Sequence, residues 1–239
     1  MMRLSQILFS QGFGTRRLCS GLIIHGEVKV DGEVVEDPDA EYEPEGLNFE
    51  VSGKTWPYYA KALIMLNKPS GYECSQKPKH HPSVMSLLPP PLRERNVQPV
   101  GRLDEDTTGL LLLTDDGALI HKLTSPKHHV HKVYEARCKH EVTDEQLARL
   151  LAGVELREPD PKPHHQAQFV QAVAAERFDA TGLRLTLDEG KYHQVKRMAA
   201  AVGNRVESLH RSQFGALQLP ADLPAGGWCW VASPSCVSP

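Results

Sequence analysis

The amino-acid sequence predicts an α+β fold with a mixed or antiparallel sheet, in which a small N-terminal module over residues 1–58 precedes a larger unit over 59–239. Three observations lead there. Strand-like apolar and β-branched runs outnumber helical stretches, and the helices stand singly among them. A polar and aromatic stretch, Thr55 to Lys61, reads as a linker between two differently organised halves. With 40% hydrophobic residues in 239, the chain has enough apolar side chain to bury a sizeable core, which excludes a wholly disordered protein.

In the first unit an amphipathic helix covers Leu4 to Ser10 and is broken by Gly12-Phe13-Gly14. Thr15 supplies an N-cap for a second helix, which carries Arg16 and Arg17 in its first turn and stops at His25-Gly26, where glycine can take the left-handed C-cap conformation. Val28-Lys29-Val30, Asp31-Gly32 and Glu33-Val34-Val35 read as strand, two-residue turn and strand, a strong hairpin signal. The acidic, proline-bearing stretch Asp37 to Gly46 is expected to be a loop and Leu47 to Val51 a short strand.

The second unit opens with an apolar strand, Ala62 to Leu66, that ends at the turn cluster Asn67 to Gly71. Gln76 to Pro91, rich in proline and histidine, is expected to be a surface loop with one short helix. Strands follow at Val97 to Val100 and Gly109 to Leu113, then a helix over Ala118 to Thr124 and an alternating strand over His131 to Lys139. Thr143 caps a helix over Asp144 to Ala152, and strands are expected at Gln168 to Ala174 and Leu183 to Leu187. A helix from Tyr192 to Val202 is stopped by Gly203-Asn204, with further strands near Val206 to His210, Ala216 to Leu219 and Trp228 to Val231. No internal repeat is evident.

Net charge is −3; residues 1–60 carry 5 Lys and Arg against 10 Asp and Glu, which leaves 22 against 20 over 61–239. That average gives no support for nucleic acid, whose phosphates need Lys and Arg. The segment His121 to His140 does, because it holds five Lys or Arg (Lys122, Lys127, Lys132, Arg137, Lys139), five His and a single acid, Glu135. No run approaches the ~20 apolar residues of a membrane span, and Met1 to Gln6 has no secretory pattern. The expectation is a cytoplasmic protein that does not enter a membrane. The five cysteines, Cys19, Cys74, Cys138, Cys229 and Cys236, are too scattered for a zinc site or a disulfide scaffold and read as reduced thiols.

The most unusual stretch is Gly101 to Gly109, a polar, acid-rich loop set between two apolar strands, the kind of place that carries function. One reading is structural: Asp and Thr side chains cap turns by binding local backbone amides. A second is calcium, since Asp104, Asp106, Thr108, Gly109 and Asp115 fall at relative positions 1, 3, 5, 6 and 12 of an EF-hand loop. That reading lacks flanking helices and the bidentate Glu at the last position.

A third reading joins this loop to other blocks. Residues 101–117, G-R-L-D-x-D-T-T-G-L-L-L-L-T-D-D-G, resemble the catalytic motif of the RsuA-like family of pseudouridine synthases. Leu66 to Gly71 (L-N-K-P-x-G), Lys132-Val133-Tyr134 (K-x-Y) and Glu189 to Met198 resemble that family's other motifs, in its order and at its spacings. The first unit is similar to the S4 RNA-binding domain, with Gly12 to Arg17 at the helix start and Gly26 to Gly32 at its G-x-V-x-V-D-G element; it departs in carrying Ser5 and Gln6 after the first Leu and in being net acidic.

The resemblance implies an S4-like module followed by a synthase domain with a central cleft. It also implies an enzyme that breaks the N1–C1′ bond of a uridine, turns the base and joins C5 to C1′, which is an isomerisation needing no cofactor. Asp104 would be the catalytic carboxylate, acting as a nucleophile or as a base that removes a sugar proton. Tyr134 would stack under the extruded base, and Lys196 would pair with Asp104 and hold it ionised and oriented. Extrusion calls for contacts to flanking phosphates, for which the candidates are Arg102, Arg16, Arg17, Lys29, Lys122, Lys127, Lys132, His193 and Arg197. No metal is expected: His128, His129 and His131 diverge, with no Cys or acid at ligand spacing. The implied substrate is ribosomal RNA, most similar to the small-subunit branch, within an assembly intermediate of a ribosomal subunit and with the enzyme as a monomer. A synthase for large-subunit or transfer RNA and a non-catalytic RNA-binding or ribosome-assembly factor are the alternatives.

Overall fold

The structure is a computed structural model that describes residues 1–156 and 168–237. The spacing of Leu4, Ile7 and Leu8 puts them on one face of helix Leu4–Ser10, where all three are fully buried. They pack with Cys19 and Ile23 of helix Arg16–Ile24, which starts at Thr15, whose hydroxyl accepts the Leu18 N–H at 3.2 Å. Strands Val28–Val30 and Glu33–Val34 are joined through Asp31 and Gly32, at φ 52° and 82° as a two-residue hairpin turn requires. A second turn of that kind, Ser52 and Gly53 at φ 47° and 79°, joins strand Asn48–Val51 to strand Lys54–Pro57. Thr55 to Pro57 therefore belong to a four-stranded sheet and not to a linker, held there by Trp56, which is buried in the same apolar cluster. Met2–Arg3 pairs with Glu41–Tyr42, inside the stretch expected to be a loop.

The main sheet has nine strands. Across it run Ala174–Arg177, Gly182–Leu187, Lys132–Cys138, Val206–Phe214, Thr108–Thr114, Leu63–Lys68 and Trp228–Trp230, with Leu217–Gln218 and Gln98–Pro99 as short additions. Neighbours are antiparallel except Val206–Phe214 against Thr108–Thr114, so the sheet is mixed. Both faces are covered, which explains the unbroken run Leu110 to Leu113. Leu111 and Leu113 join Ile64 and Leu66 in one apolar cluster, while Leu110 and Leu112 join Leu63 and Met65 in the other, as the period of two along a strand demands. The parallel pair is close: a Cβ on Gly109, at φ 104°, would lie 2.3 Å from the Arg211 carbonyl oxygen.

Several elements differ from expectation. The 97–100 strand shrinks to Gln98–Pro99, where proline has no N–H to give. The strand expected over 168–174 is two: Gln168–Val170, paired with Val154–Leu156, and Ala174–Arg177. The strand from Val206 runs on to Phe214 because it sits between two partners at the middle of the sheet. Helix Asp144–Ala152 keeps its Thr143 cap, completed by the Gln146 side chain. The last helix starts at Gln194, later than expected, and ends at Ala201.

The N-terminal unit is bolted to the rest through Arg95. Its guanidinium donates to Gln11 Oε1 at 2.6 Å, to the Tyr59 carbonyl at 2.8 Å and, from Nε, to Asp115 Oδ2 at 2.9 Å. Among the described residues no helix is long and apolar enough to cross a membrane, and no group of three or more His, Cys, Asp and Glu side chains could hold a metal ion.

Candidate active site

The acidic loop is shaped from beneath by a lysine. Lys68, at the end of strand Leu63–Lys68, is fully buried, and its Nζ donates to the carbonyls of Pro69 (3.0 Å), Glu105 (2.8 Å) and Thr107 (2.8 Å). Gly71 N–H adds a bond to the Glu105 carbonyl at 3.0 Å, and buried Leu103 anchors the loop's near side, its N–H 3.4 Å from Cys74 Sγ. Burial pushes the Lys68 ammonium below its ordinary pKa, against the upward pull of Cys74 and of the nearby carboxylates Glu105, Asp106 and Asp104. Lys68→Met would leave the Pro69 and Thr107 carbonyls without this donor and the Glu105 carbonyl with the Gly71 N–H alone, an expected loss of about 3 kcal/mol of stability. Urea denaturation checks this, and an unchanged midpoint would mean that the loop holds its shape without the lysine.

So held, the loop presents Asp104 and Asp106 to the helix Gln194–Ala201. Lys196 Nζ lies 3.3 Å from Asp104 Oδ2 and 2.7 and 2.9 Å from the two carboxylate oxygens of Asp106. Asp104 has a second neighbour: His193 Nε2 is 3.3 Å from its Oδ1. His193 precedes the helix at φ 46°, a left-handed backbone, and its ring stacks on Tyr192 with centroids 3.8 Å apart. The turn before it is tied by Gln194, which takes the Lys191 N–H at 2.8 Å and donates to Glu189 at 2.8 Å. Burial raises Asp106 somewhat, yet the hydrogen bond and charge of Lys196 hold it below the ordinary carboxylate value. Lys196 is raised in turn: burial opposes this, and its hydrogen bond to Asp106 with the charges of both aspartates overcomes it.

Tyr134 comes from strand Lys132–Cys138, where alternation places it with Ala136 and Cys138 on the buried face. It lines the same cavity as Asp104, together with Arg102, Leu103, Leu187 and His193. The buried Thr107 hydroxyl lines that cavity too and has no hydrogen-bond partner. Behind the phenol, Arg211 Nη1 is 3.5 Å from Tyr134 Oη. The cavity continues into an open groove of about 770 Å³ bordered by Lys79, His80 and His81 on one wall and Lys191, Tyr192 and His193 on the other. Glu73 shapes the first wall by accepting the backbone N–H groups of Lys79 (3.1 Å), His80 (2.8 Å) and His81 (2.9 Å). The His80, His81 and Lys79 amides pull its carboxyl down to about 2.

Of the residues expected to contact RNA, Arg102, Lys132 and His193 border the Asp104 cavity or its extensions. Arg16, Arg17, Lys29, Lys122, Lys127 and Arg197 border neither the Asp104 cavity, nor its groove, nor the adjoining cavity lined by Arg102 and Lys132. Arg16 lies over the Phe9 ring, Lys29 pairs with Glu50 at 3.3 Å, and Arg197 donates to the Tyr192 carbonyl at 3.2 Å. Nor is 121–140 one continuous stripe: it spans a helix, a turn and a strand whose successive side chains take opposite faces. Sequence reasoning missed the burial of Lys68, the role of Glu73, the sharing of Lys196 with Asp106, and Arg211. For Arg211 simple alternation gives no signal, since it groups the arginine with Glu207, Leu209 and Gln213; irregular pairing with the neighbouring strand is what leaves Leu209, Arg211 and Phe214 buried.

Comparison with known proteins adds the following. Residues 62–201 match the model of the family described as RNA pseudouridylate synthase, and residues 2–46 match the S4 domain. The chain is 39% identical over 226 residues to the ribosomal small subunit pseudouridine synthase A of Escherichia coli (strain K12), covering 94% of both chains. It is 36% identical over 225 residues to an uncharacterized RNA pseudouridine synthase of Bacillus subtilis (strain 168), covering 94% of this chain and 92% of the other. A crystal structure of a pseudouridylate synthase superposes with a TM-score of 0.65 at 33% identity, covering 97% of this chain and 96% of that one.

Proposed function

The chain belongs to the RNA pseudouridylate synthase family, and on that premise we propose that it isomerises one uridine of small-subunit ribosomal RNA with Asp104 as the catalytic carboxylate. The observation that carries the assignment of residues is the meeting of Asp104, Tyr134 and Lys196 from a loop, a strand and a helix at one cleft. The small-subunit target is supported by the identity to the Escherichia coli enzyme. Residues 59–239 carry the chemistry, while 1–58, whose residues 2–46 match the S4 domain, hold the RNA. The substrate is a subunit assembly intermediate, met in the cytoplasm by a monomer.

The geometry suits the reaction. A uridine in a helix hides C1′, N1 and C5, so it must be swung out into the cleft, where the Tyr134 ring offers a face for the base. Asp104, held between Lys196 and His193, can attack C1′ as uracil leaves, or take a proton from the sugar to give a glycal; both routes break N1–C1′ and leave the base free to turn. After C5 joins C1′, the proton on C5 must go and N1 must gain one, and the Tyr134 hydroxyl is placed to help. A lone carboxylate fits an isomerase, since hydrolysis would need a second acid or base to activate water. Lys196 and Asp106 cannot supply that pair while bound to each other.

Incubation with unmodified small-subunit RNA, followed by chemical mapping of pseudouridine, tests the target. One modified site in that RNA, and none in large-subunit or transfer RNA, is the expected result; modification of either of the others instead would move the target, and no product in any would leave an RNA-binding factor. Affinity for naked RNA should fall steeply with salt, as phosphate contacts release counterions. A flat titration would contradict groove binding.

A further inference from the structure

Next to the Asp104 cavity lies a second one of about 210 Å³, and the two share Arg102, Tyr134 and Lys191 along their border. Four cations line it, Arg102, Lys132, Lys191 and Arg211, against two carboxylates, Asp188 and Glu189. Both carboxylates are already engaged. Asp188 pairs with His129 at 2.7 Å, and Glu189 pairs with Lys191 at 3.1 Å and takes the Gln194 amide. Among the described residues no carboxylate lies within ion-pair distance of Lys132 or Arg211.

Arg211 is 2% exposed, which makes that isolation costly. Its Nε donates to the Leu110 carbonyl at 2.8 Å and Nη1 reaches Tyr134 Oη, but Nη2 has no hydrogen-bond partner. The arginine is brought there by an irregularity in pairing: Val133 stands opposite Gln213 but Tyr134 opposite Arg211, a bulge that aims the guanidinium beside the phenol. Lys132, two residues before Tyr134 on the same strand face, donates only to the Val130 carbonyl, at 2.9 Å, and lies 5.4 Å over the Phe214 ring. Burial, then the charge of Arg211, push its ammonium down to about 8. A buried guanidinium and a partly buried ammonium, the latter feeling Asp188 only from beyond ion-pair distance, describe a receptor at the edge of the Asp104 cavity whose close counter-charge arrives with the ligand.

We propose that Arg211 and Lys132 form a subsite for one phosphodiester group, that of the nucleotide swung out against Asp104. The proposal rests on the reading that the nucleoside sits between Asp104 and Tyr134. A phosphate there supplies acceptors for the unpartnered guanidinium N–H groups and restores the charged form of Lys132, so binding above neutral pH takes up protons. Holding the phosphate at a fixed distance from Asp104 also sets where C1′ comes to rest.

Calorimetric titration of the full chain with uridine, uridine 5′-phosphate, uridine 3′-phosphate and inorganic phosphate tests it. One of the two nucleotides should bind at least tenfold more tightly than uridine, which also tells which side of the sugar the subsite serves. Inorganic phosphate should compete with that nucleotide. At pH 8, in buffers of different ionisation heat, binding should take up protons in the wild type and not in Lys132→Met, which should bind nucleotide and uridine alike. Arg211→Lys, which keeps a cation if Arg211→Met fails to fold, should retain part of the preference. Equal affinity of uridine and both nucleotides, or an undiminished preference in Lys132→Met, overturns the subsite. The preference should persist in Asp104→Asn, so a failed subsite with intact catalysis is distinguishable from a failed synthase assignment.

Discussion

Asp104→Asn should lower pseudouridine formation by at least a thousandfold, about 4 kcal/mol of barrier, while RNA affinity and thermal stability stay close to wild type. The amide matches the carboxylate in size, so packing is preserved. It removes the electron pair and charge that either route needs, and no neighbour can replace them. Asp106 is the nearest substitute, but it is bound at 2.7 and 2.9 Å to Lys196 and does not line the Asp104 cavity. Single-turnover assays on saturating RNA, with affinity measured in parallel, separate lost chemistry from lost binding. Turnover within tenfold of wild type would remove Asp104 from its place.

Lys196→Met should cut kcat by about a hundredfold, about 2.7 kcal/mol, with a smaller change in KM, and Lys196→Arg should recover most of it. Two carboxylates would then face each other without the ammonium between them, and Asp104 would keep the His193 ring as a neighbour. The pH response follows from the shifts. Lys196 is raised, so its contribution to stability is complete below its ordinary value of 10.5 and is lost as pH climbs through the raised value. Asp106 is lowered, so its contribution is present above 3.8 and is lost as pH falls through the depressed value. The wild-type cluster is therefore intact across neutral pH. Without the lysine, Asp106 loses the partner that depresses it and holds its proton to higher pH, and the acid limb of the kcat profile should move upward as the charge of the cluster changes. A profile that stays in place would show that Lys196 does not set the charge of this site.

Much of the fold was legible because most elements announce themselves locally. Thr15 and Thr143 mark helix starts by their capping chemistry, and Asp31-Gly32 marks a hairpin. Ser52-Gly53 carries weaker turn chemistry in sequence, and the linker expected over Thr55 to Lys61 begins inside strand Lys54–Pro57. Long-range pairing was harder to see. The length of Val206–Phe214 follows from its central place in the sheet, which no local pattern reveals. In the candidate site, the motif blocks led to Asp104, Tyr134 and Lys196, of which the first two line one cavity and the third pairs with Asp104 from beside it. What hydrophobic periodicity could not reveal were charged residues used as core. Lys68 and Arg211 are fully buried or nearly so, their charges answered by carbonyls and a phenol from distant segments. His193 was expected on phosphate and lies instead against Asp104, an orientation set by a left-handed backbone before the helix.

The most direct test of the account is a crystal structure of the protein with an RNA whose target uridine carries fluorine at C5, a position from which the rejoined base cannot shed a proton. The extruded nucleotide should lie in the cleft with C1′ bonded to Asp104, or with C1′ or C2′ within about 3.5 Å of its carboxylate, and with its base against the Tyr134 ring. A nucleotide seated elsewhere, with Asp104 still bound only to Lys196 and His193, would contradict it.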